Sequence, residues 1–187
     1  MTKTITTTYY TLAELEELIG GQAVENAYDA LIDIALDNAR DFDGEHIKGS
    51  LEAFAELFGT TLIKCSFDAS NPSGYYNDAQ VDVEAFKSLT NEEKNDCIKE
   101  WNALVNKDIW DLSGVYSDAY IEKAVSEEVG EITFNSAVRA LENVPSLAIY
   151  EFSRAVNEGV YDRYYLYELS EANEYYFDKE GTFVGGM

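Results

Sequence analysis

The stretch Gln22-Ala-Val24-Glu25-Asn-Ala27-Tyr28-Asp29-Ala-Leu31-Ile-Asp33-Ile-Ala35-Leu-Asp37-Asn-Ala-Arg40-Asp41-Phe42 decides the fold class. Val24, Ala27, Tyr28, Leu31, Ala35 and Phe42 recur at three- and four-residue spacing, the period of a helix with one buried face. Among them Glu25, Asp29, Asp33, Asp37 and Asp41 follow one another at strict four-residue spacing. On an α-helix these carboxylates share one ridge, one every ~6 Å over ~24 Å. Like charges at i,i+4 each cost a few tenths of a kcal/mol. Asp37 and Asp41 would also stand in the last turns, where the helix dipole disfavours anions. Local stability alone does not select such a row.

Working outward, residues 4–10 are β-branched and aromatic and predict a short strand. Thr11-Leu-Ala-Glu14 has the form of a capping box and starts a short helix that Gly20-Gly21 ends. Beyond the long helix, Asp43-Gly44 reads as a break. A second helix follows over 45–58, with Ile47, Leu51, Phe54, Ala55 and Phe58 inward. Ile63, Cys65 and Phe67, then Val81 and Val83, alternate with polar neighbours and predict an antiparallel hairpin. Thr90-Asn-Glu-Glu93 repeats the capping box and leads a helix through Cys97, Trp101 and Leu104. Further helices are expected near 118–128, near 133–143, and from Ser146 past Tyr164 with Gly159 as an interruption. Tyr175 to Val184 predicts a terminal hairpin turned at Asp178–Gly181. The expected fold is α+β, predominantly helical with a small antiparallel sheet, in a single domain 1–187 without linker or repeat.

The 46% hydrophobic share is enough to bury a core, which separates the chain from disordered acidic sequences. Charge is the outlier: 36 Asp and Glu against 13 Lys and Arg leave −23. Residues 1–94 hold 18 acids and 6 bases and residues 95–187 hold 18 and 7, so the surplus is no tail. Such a field attracts basic partners and repels phosphate, so direct binding to nucleic acid or an anionic membrane is not expected. Solubility alone would also account for it. Cys65 and Cys97 lie far apart, which excludes a disulfide-dense secreted scaffold. The first ten residues lack an apolar core for a signal peptide, and no stretch reaches the length of a membrane span. The expected location is the cytoplasm.

Two surfaces are candidates for a basic partner. One is the row Glu25, Asp29, Asp33, Asp37, Asp41, which resembles backbone phosphates but is sparser than one DNA strand. Glu45, Glu52 and Glu56 would supply a second row if the two helices packed as an antiparallel pair. The same row is also what the solvated face of an amphipathic helix would present. The other candidate is the tyrosine-rich end, with Tyr161, Tyr175 and Tyr176 interleaved with Asp162, Glu168, Glu171 and Glu174. Tyrosine with carboxylate grips arginine-rich surfaces through cation–π contact and charge together. Tyr164 and Tyr165 are expected in the core.

Catalytic patterns are not found. His46 is the sole histidine and is expected at an exposed helix start. One histidine excludes HExxH zinc sites and paired ExxH di-iron sites. Asp41-Phe-Asp43-Gly44 resembles part of an EF-hand, but Ala39 and Ser50 would occupy its first and last ligand positions. No phosphate-binding glycine loop is present. The reading is a non-enzyme without cofactor or metal, a carboxylate-based enzyme being the least informative alternative.

Tyr9-Tyr10-Thr11-Leu12-Ala13-Glu14-Leu15 resembles the opening of a family of small phage and prophage proteins, in which an aromatic strand runs into a Y-x-[FL]-x-E-L helix start. Ser170-Glu-Ala-Asn173-Glu174-Tyr175-Tyr-Phe177-Asp178-Lys-Glu-Gly181 resembles the same family's closing hairpin. The resemblance covers about 20 residues and implies a mobile-element origin, hence the host cytoplasm. Small acidic phage proteins include antirestriction and anti-CRISPR inhibitors, several of them DNA mimics. By kind, it implies a non-catalytic inhibitor of a restriction enzyme or a CRISPR effector nuclease such as Cas9. The alternative is an antitoxin or adaptor that holds a basic toxin or host factor on the tyrosine-rich surface.

Overall fold

The computed structural model describes residues 8–105 and 112–186, so residues 4–7 of the expected first strand lie outside it. Its described end is extended: Tyr10 and Phe177 form an antiparallel bridge with N–H···O distances of 2.9 and 2.8 Å. Among the described residues the elements are α1 (Leu12–Leu18), α2 (Gln22–Leu57), β1 (Leu62–Ser66), β2 (Asp78–Val81), α3 (Val83–Ser88), α4 (Asn91–Val105), α5 (Asp118–Glu128), α6 (Ala137–Val160), α7 (Arg163–Ala172), β3 (Tyr175–Phe177) and β4 (Phe183–Gly186). β1 pairs with β2 and β3 with β4, both antiparallel. The fold is α+β and mostly helical.

Both capping boxes form. The Glu14 amide donates to Thr11 Oγ1 at 3.2 Å while Thr11 N–H donates to the Glu14 carboxylate at 2.9 Å. Likewise the Glu93 amide donates to Thr90 Oγ1 at 3.3 Å and Thr90 N–H donates to the Glu93 carboxylate at 2.7 Å. Each satisfies two helix-end donors that would otherwise lack partners. Asp162, two residues past the end of α6 at Val160, caps α7 by accepting the amides of Tyr164 and Tyr165, so the helix expected from Ser146 past Tyr164 is two helices. Gly20 and Gly21, both at positive φ, end α1.

Two expected boundaries are absent, the break at Gly44 and the gap between the helices expected near 133–143 and from Ser146. Gly44 does not end a helix: α2 is continuous over 36 residues. A Cβ at Gly44 would lie 3.2 Å from the Phe67 ring, so glycine is there for close packing, which outweighs its poor helix propensity. Pro145 likewise sits inside α6, buried, with Leu141, Val144, Ala148 and Ile149 buried on either side. Core burial carries the helix past the hydrogen bond that proline cannot make. Val83 starts α3, capped by Asp82, instead of extending the strand. Phe42 is 63% exposed, not inward. The buried row of α2 advances in fours through Ala27, Leu31, Ala35 and Ala39, skips Asp43, and resumes at Ile47, Leu51 and Ala55, and Phe42 falls off it.

The chain divides into two compact units. Unit 1 joins both ends of the chain, Met1–Asn38 and Glu158–Met187, and unit 2 is Ala39–Asn157. Leu12, Leu15, Tyr28, Leu31, Leu166 and Phe177 are buried in unit 1. Unit 2 is built on Phe54, Phe58, Phe86 and Trp101, whose ring centroids lie 5.2 to 6.1 Å apart. No helix of the described residues is long and apolar enough to cross a membrane.

Candidate partner-binding surface

Charge spread evenly along the sequence is not spread evenly over the fold. Unit 1 holds 14 acids against 3 bases, net −11 in 68 residues, whereas unit 2 holds 22 against 10, net −12 in 119. Folding the two chain ends together raises the charge density of unit 1 by about half over that of unit 2, because residues 1–38 and 158–187 are each poor in Lys and Arg. Both described cations of unit 1 are already engaged. Lys179 pairs with Glu180 at 3.3 Å, and Arg163 pairs with Glu25 while lying 4.5 Å over the Tyr28 ring. Burial, with the Glu16 carboxylate accepting its hydroxyl at 3.0 Å, pushes Tyr28 up to about 12.

The acidic row is exposed throughout. Glu25, Asp29, Asp33 and Asp37 line it in unit 1. Each stands two residues from a member of the buried row, a turn of about 200° around the helix, so carboxylates and core residues stay on opposite sides as both drift together. Arg163 neutralises Glu25, and among the described residues no cation pairs with Asp29 or Asp33. In unit 2 Asp41, Glu45, Glu52 and Glu56 are exposed as well, and Lys48 lies 3.6 Å from Glu45. The antiparallel second row does not exist. Since α2 does not turn at Gly44, Glu45 is the next step of the first row, and Glu52 and Glu56 lie further along the same helix.

The tyrosines divide differently from expectation. Tyr164 and Tyr165 are 71% and 42% exposed, because Leu166 and Ser170 are the residues that α7 buries. Tyr161 is exposed too, just ahead of the Asp162 cap. Tyr175 and Tyr176 are half-buried on β3, where the Phe183 ring braces Tyr175 edge-on at 5.1 Å. With Thr11, Ser170, Glu171 and Glu174 these two line a depression of about 450 Å³ within unit 1. Tyr161 is not among its lining residues.

His46 is not at an exposed helix start. It lies mid-helix in α2, half-buried, with the Phe42 ring at 4.1 Å and the Tyr116 ring at 5.3 Å. Its Nδ1 is buried and meets no hydrogen-bond partner among the described residues. Burial pushes the Cys65 thiol up to about 11, and Cys97 is also raised, chiefly by burial, so neither thiol is activated as a nucleophile. Asp41 to Gly44 is helical, so the EF-hand-like tetrapeptide forms no loop. Among the described residues no three His, Cys, Asp or Glu side chains are grouped to hold a metal ion.

One polar centre has no sequence signature. Asp118, 3% exposed at the start of α5, accepts from Ser50 Oγ at 2.6 Å, from Ser113 Oγ, and from the amides of Leu112, Ser113 and Gly114 at 3.0, 2.7 and 3.2 Å. Burial works against its charge, but the hydrogen bonds outweigh burial and hold the carboxyl below its usual range. The run Ser113-Gly-Val-Tyr-Ser117-Asp118 hints at a helix cap, but Ser50 lies 68 positions away and nothing in the spacing announces it.

Compared with known proteins, the chain matches no family model, no curated protein and no solved structure.

Proposed function

We propose that the protein is a non-catalytic inhibitor that occupies the basic nucleic-acid-binding surface of a defence nuclease, of the antirestriction or anti-CRISPR kind. The observation that carries this is the exposed row Glu25–Asp29–Asp33–Asp37 on the unit with net −11 in 68 residues. A carboxylate every ~6 Å along the helix matches about every second phosphate of one DNA strand, whose charges advance ~3.4 Å. A basic channel built for that strand meets a similar line of negative charge without a cleavable backbone. The Cys65 and Cys97 thiols, both raised chiefly by burial, fit a role without thiol catalysis. The test is a tagged pull-down from bacterial lysate expressing candidate defence nucleases, eluted with duplex DNA. Release of a nuclease by DNA is the expected result. Capture of a partner that DNA does not displace would count against mimicry.

A second reading has its own support. Tyr161, Tyr164 and Tyr165 are exposed together around the start of α7, and exposed tyrosine is a common anchor of protein interfaces. An antitoxin or adaptor would bind a basic toxin or host factor there, with the acidic row governing mainly the association rate.

A further inference from the structure

We infer that the depression lined by Thr11, Ser170, Glu171, Glu174, Tyr175 and Tyr176 receives the guanidinium of an arginine side chain from the protein partner. This deepens the reading of a basic protein partner, and rests on it for the identity of the arginine's owner.

Ser170 is the first reason. It is 3% exposed on α7, yet its hydroxyl makes no hydrogen bond among the described residues, and it forms part of the depression's wall. The rest of the residue is buried, so a donor reaching this hydroxyl comes through the depression whose wall it forms. The carboxylates are the second reason. Glu171 and Glu174 are exposed at the same depression, and no cation of the described residues pairs with either. The aromatic wall is the third. Tyr175 is held by the Phe183 ring and by Gly186, where a Cβ would come within 3.1 Å of the Tyr175 ring.

These parts select one chemistry. Carboxylates and a hydroxyl acceptor call for a donor with several N–H groups, and tyrosine rings call for a flat, weakly hydrated cation. A guanidinium meets both demands, whereas an ammonium is compact and strongly hydrated. Phosphate and carboxylate ligands are repelled by Glu171 and Glu174.

The test uses the full chain and a single blocked arginine, N-acetyl-arginine methylamide, followed by amide chemical shifts. Salt of about 0.3 M screens the exposed acidic row while affecting a partly enclosed site less. The expected result is saturable shifts confined to residues 170–176, Thr11 and their neighbours. The neutral citrulline analogue should bind about tenfold more weakly, because charge-assisted hydrogen bonds are roughly twice as strong as neutral ones. Ser170→Ala and, separately, Glu171→Gln with Glu174→Gln should each weaken arginine several-fold. The glutamine pair alters only exposed side chains and keeps the fold. Non-saturating shifts, or equal binding of arginine and citrulline analogues, would overturn the inference. Tighter binding of free arginine than of the blocked form would also overturn it, by assigning the site to a small molecule. Since the probe is not a nuclease, this outcome is independent of whether the pull-down finds one.

Discussion

A Cβ placed on Gly181 would stand 1.9 Å from the carbonyl oxygen of Ala23. The turn between β3 and β4 therefore rests directly on the backbone of α2 within unit 1. Asn26 fixes the same contact by donating Nδ2–H to the Glu180 carbonyl at 2.8 Å. Gly181 also holds φ +83, a conformation that L side chains rarely adopt. Gly181→Ala should lower stability by about 2–4 kcal/mol through clash and strain together. Urea unfolding followed by far-ultraviolet circular dichroism measures it. A loss under about 0.5 kcal/mol, typical of a neutral surface change, would mean that the turn is not seated on α2.

The buried carboxylate of Asp118 sets a pH dependence whose sign can be worked out. Its folded pKa is depressed below the ordinary 3.8, so its contribution to stability is present in full above that value and is lost as pH falls through the folded one. Asp118→Asn places an amide group where serine hydroxyls and backbone amides donate, and should cost about 2–4 kcal/mol at pH 7. The gap between wild type and variant should narrow below pH 4. Denaturant midpoints at pH 7, 5 and 3 check this, and a gap independent of pH would show that the charge is not what the serines hold.

How much of this was legible follows from how local each feature is. The capping boxes at Thr11 and Thr90 are four-residue patterns and form as read. The terminal hairpin turns at Asp178, whose carboxylate accepts the amides of Glu180 and Thr182, again within a few residues. Gly44 is a local breaker overridden by packing from afar, the Phe67 ring beside it, and the helices expected near 133–143 and from Ser146 are one because α6 has a buried face on both sides of Pro145. The expected second acidic row depended on that break, and the continuity of α2 removes it. Ser170 was hidden for the same reason, since its burial beside Thr11 and Tyr175 at one depression joins parts of the chain far apart in sequence.

Asn77 gives a further prediction in unit 2. Its buried side chain accepts the Asp68 amide at 2.7 Å and donates to the carbonyls of Asn71, Asp68 and Ser73 at 2.9, 3.2 and 3.3 Å. It thus fixes the loop that carries the exposed Tyr75. Asn77→Ala should cost about 2 kcal/mol, since it leaves an amide and carbonyls without partners. Limited proteolysis should then cut between residues 68 and 77 first. An unchanged cleavage pattern would show that the loop is held by its backbone alone.

The acidic row should be paid for in stability and returned in binding. Asp29, Asp33 and Asp37 repel at four-residue spacing, so converting all three to Asn should stabilise the free protein by a few tenths of a kcal/mol per relieved pair. The same variant should bind its partner at least tenfold more weakly, and the remaining affinity should depend less on salt, because fewer charges are screened. Salt-dependent binding of wild type and variant to the captured partner measures both effects. Tyr161→Ala with Tyr164→Ala provides the counterpart, and should speed dissociation little if the row is the interface. If the tyrosine pair abolishes binding while the Asn variant changes only the association rate, the antitoxin or adaptor reading replaces mimicry. If the Asn variant is more stable and binds unchanged, the row is a solvated helix face and nothing more.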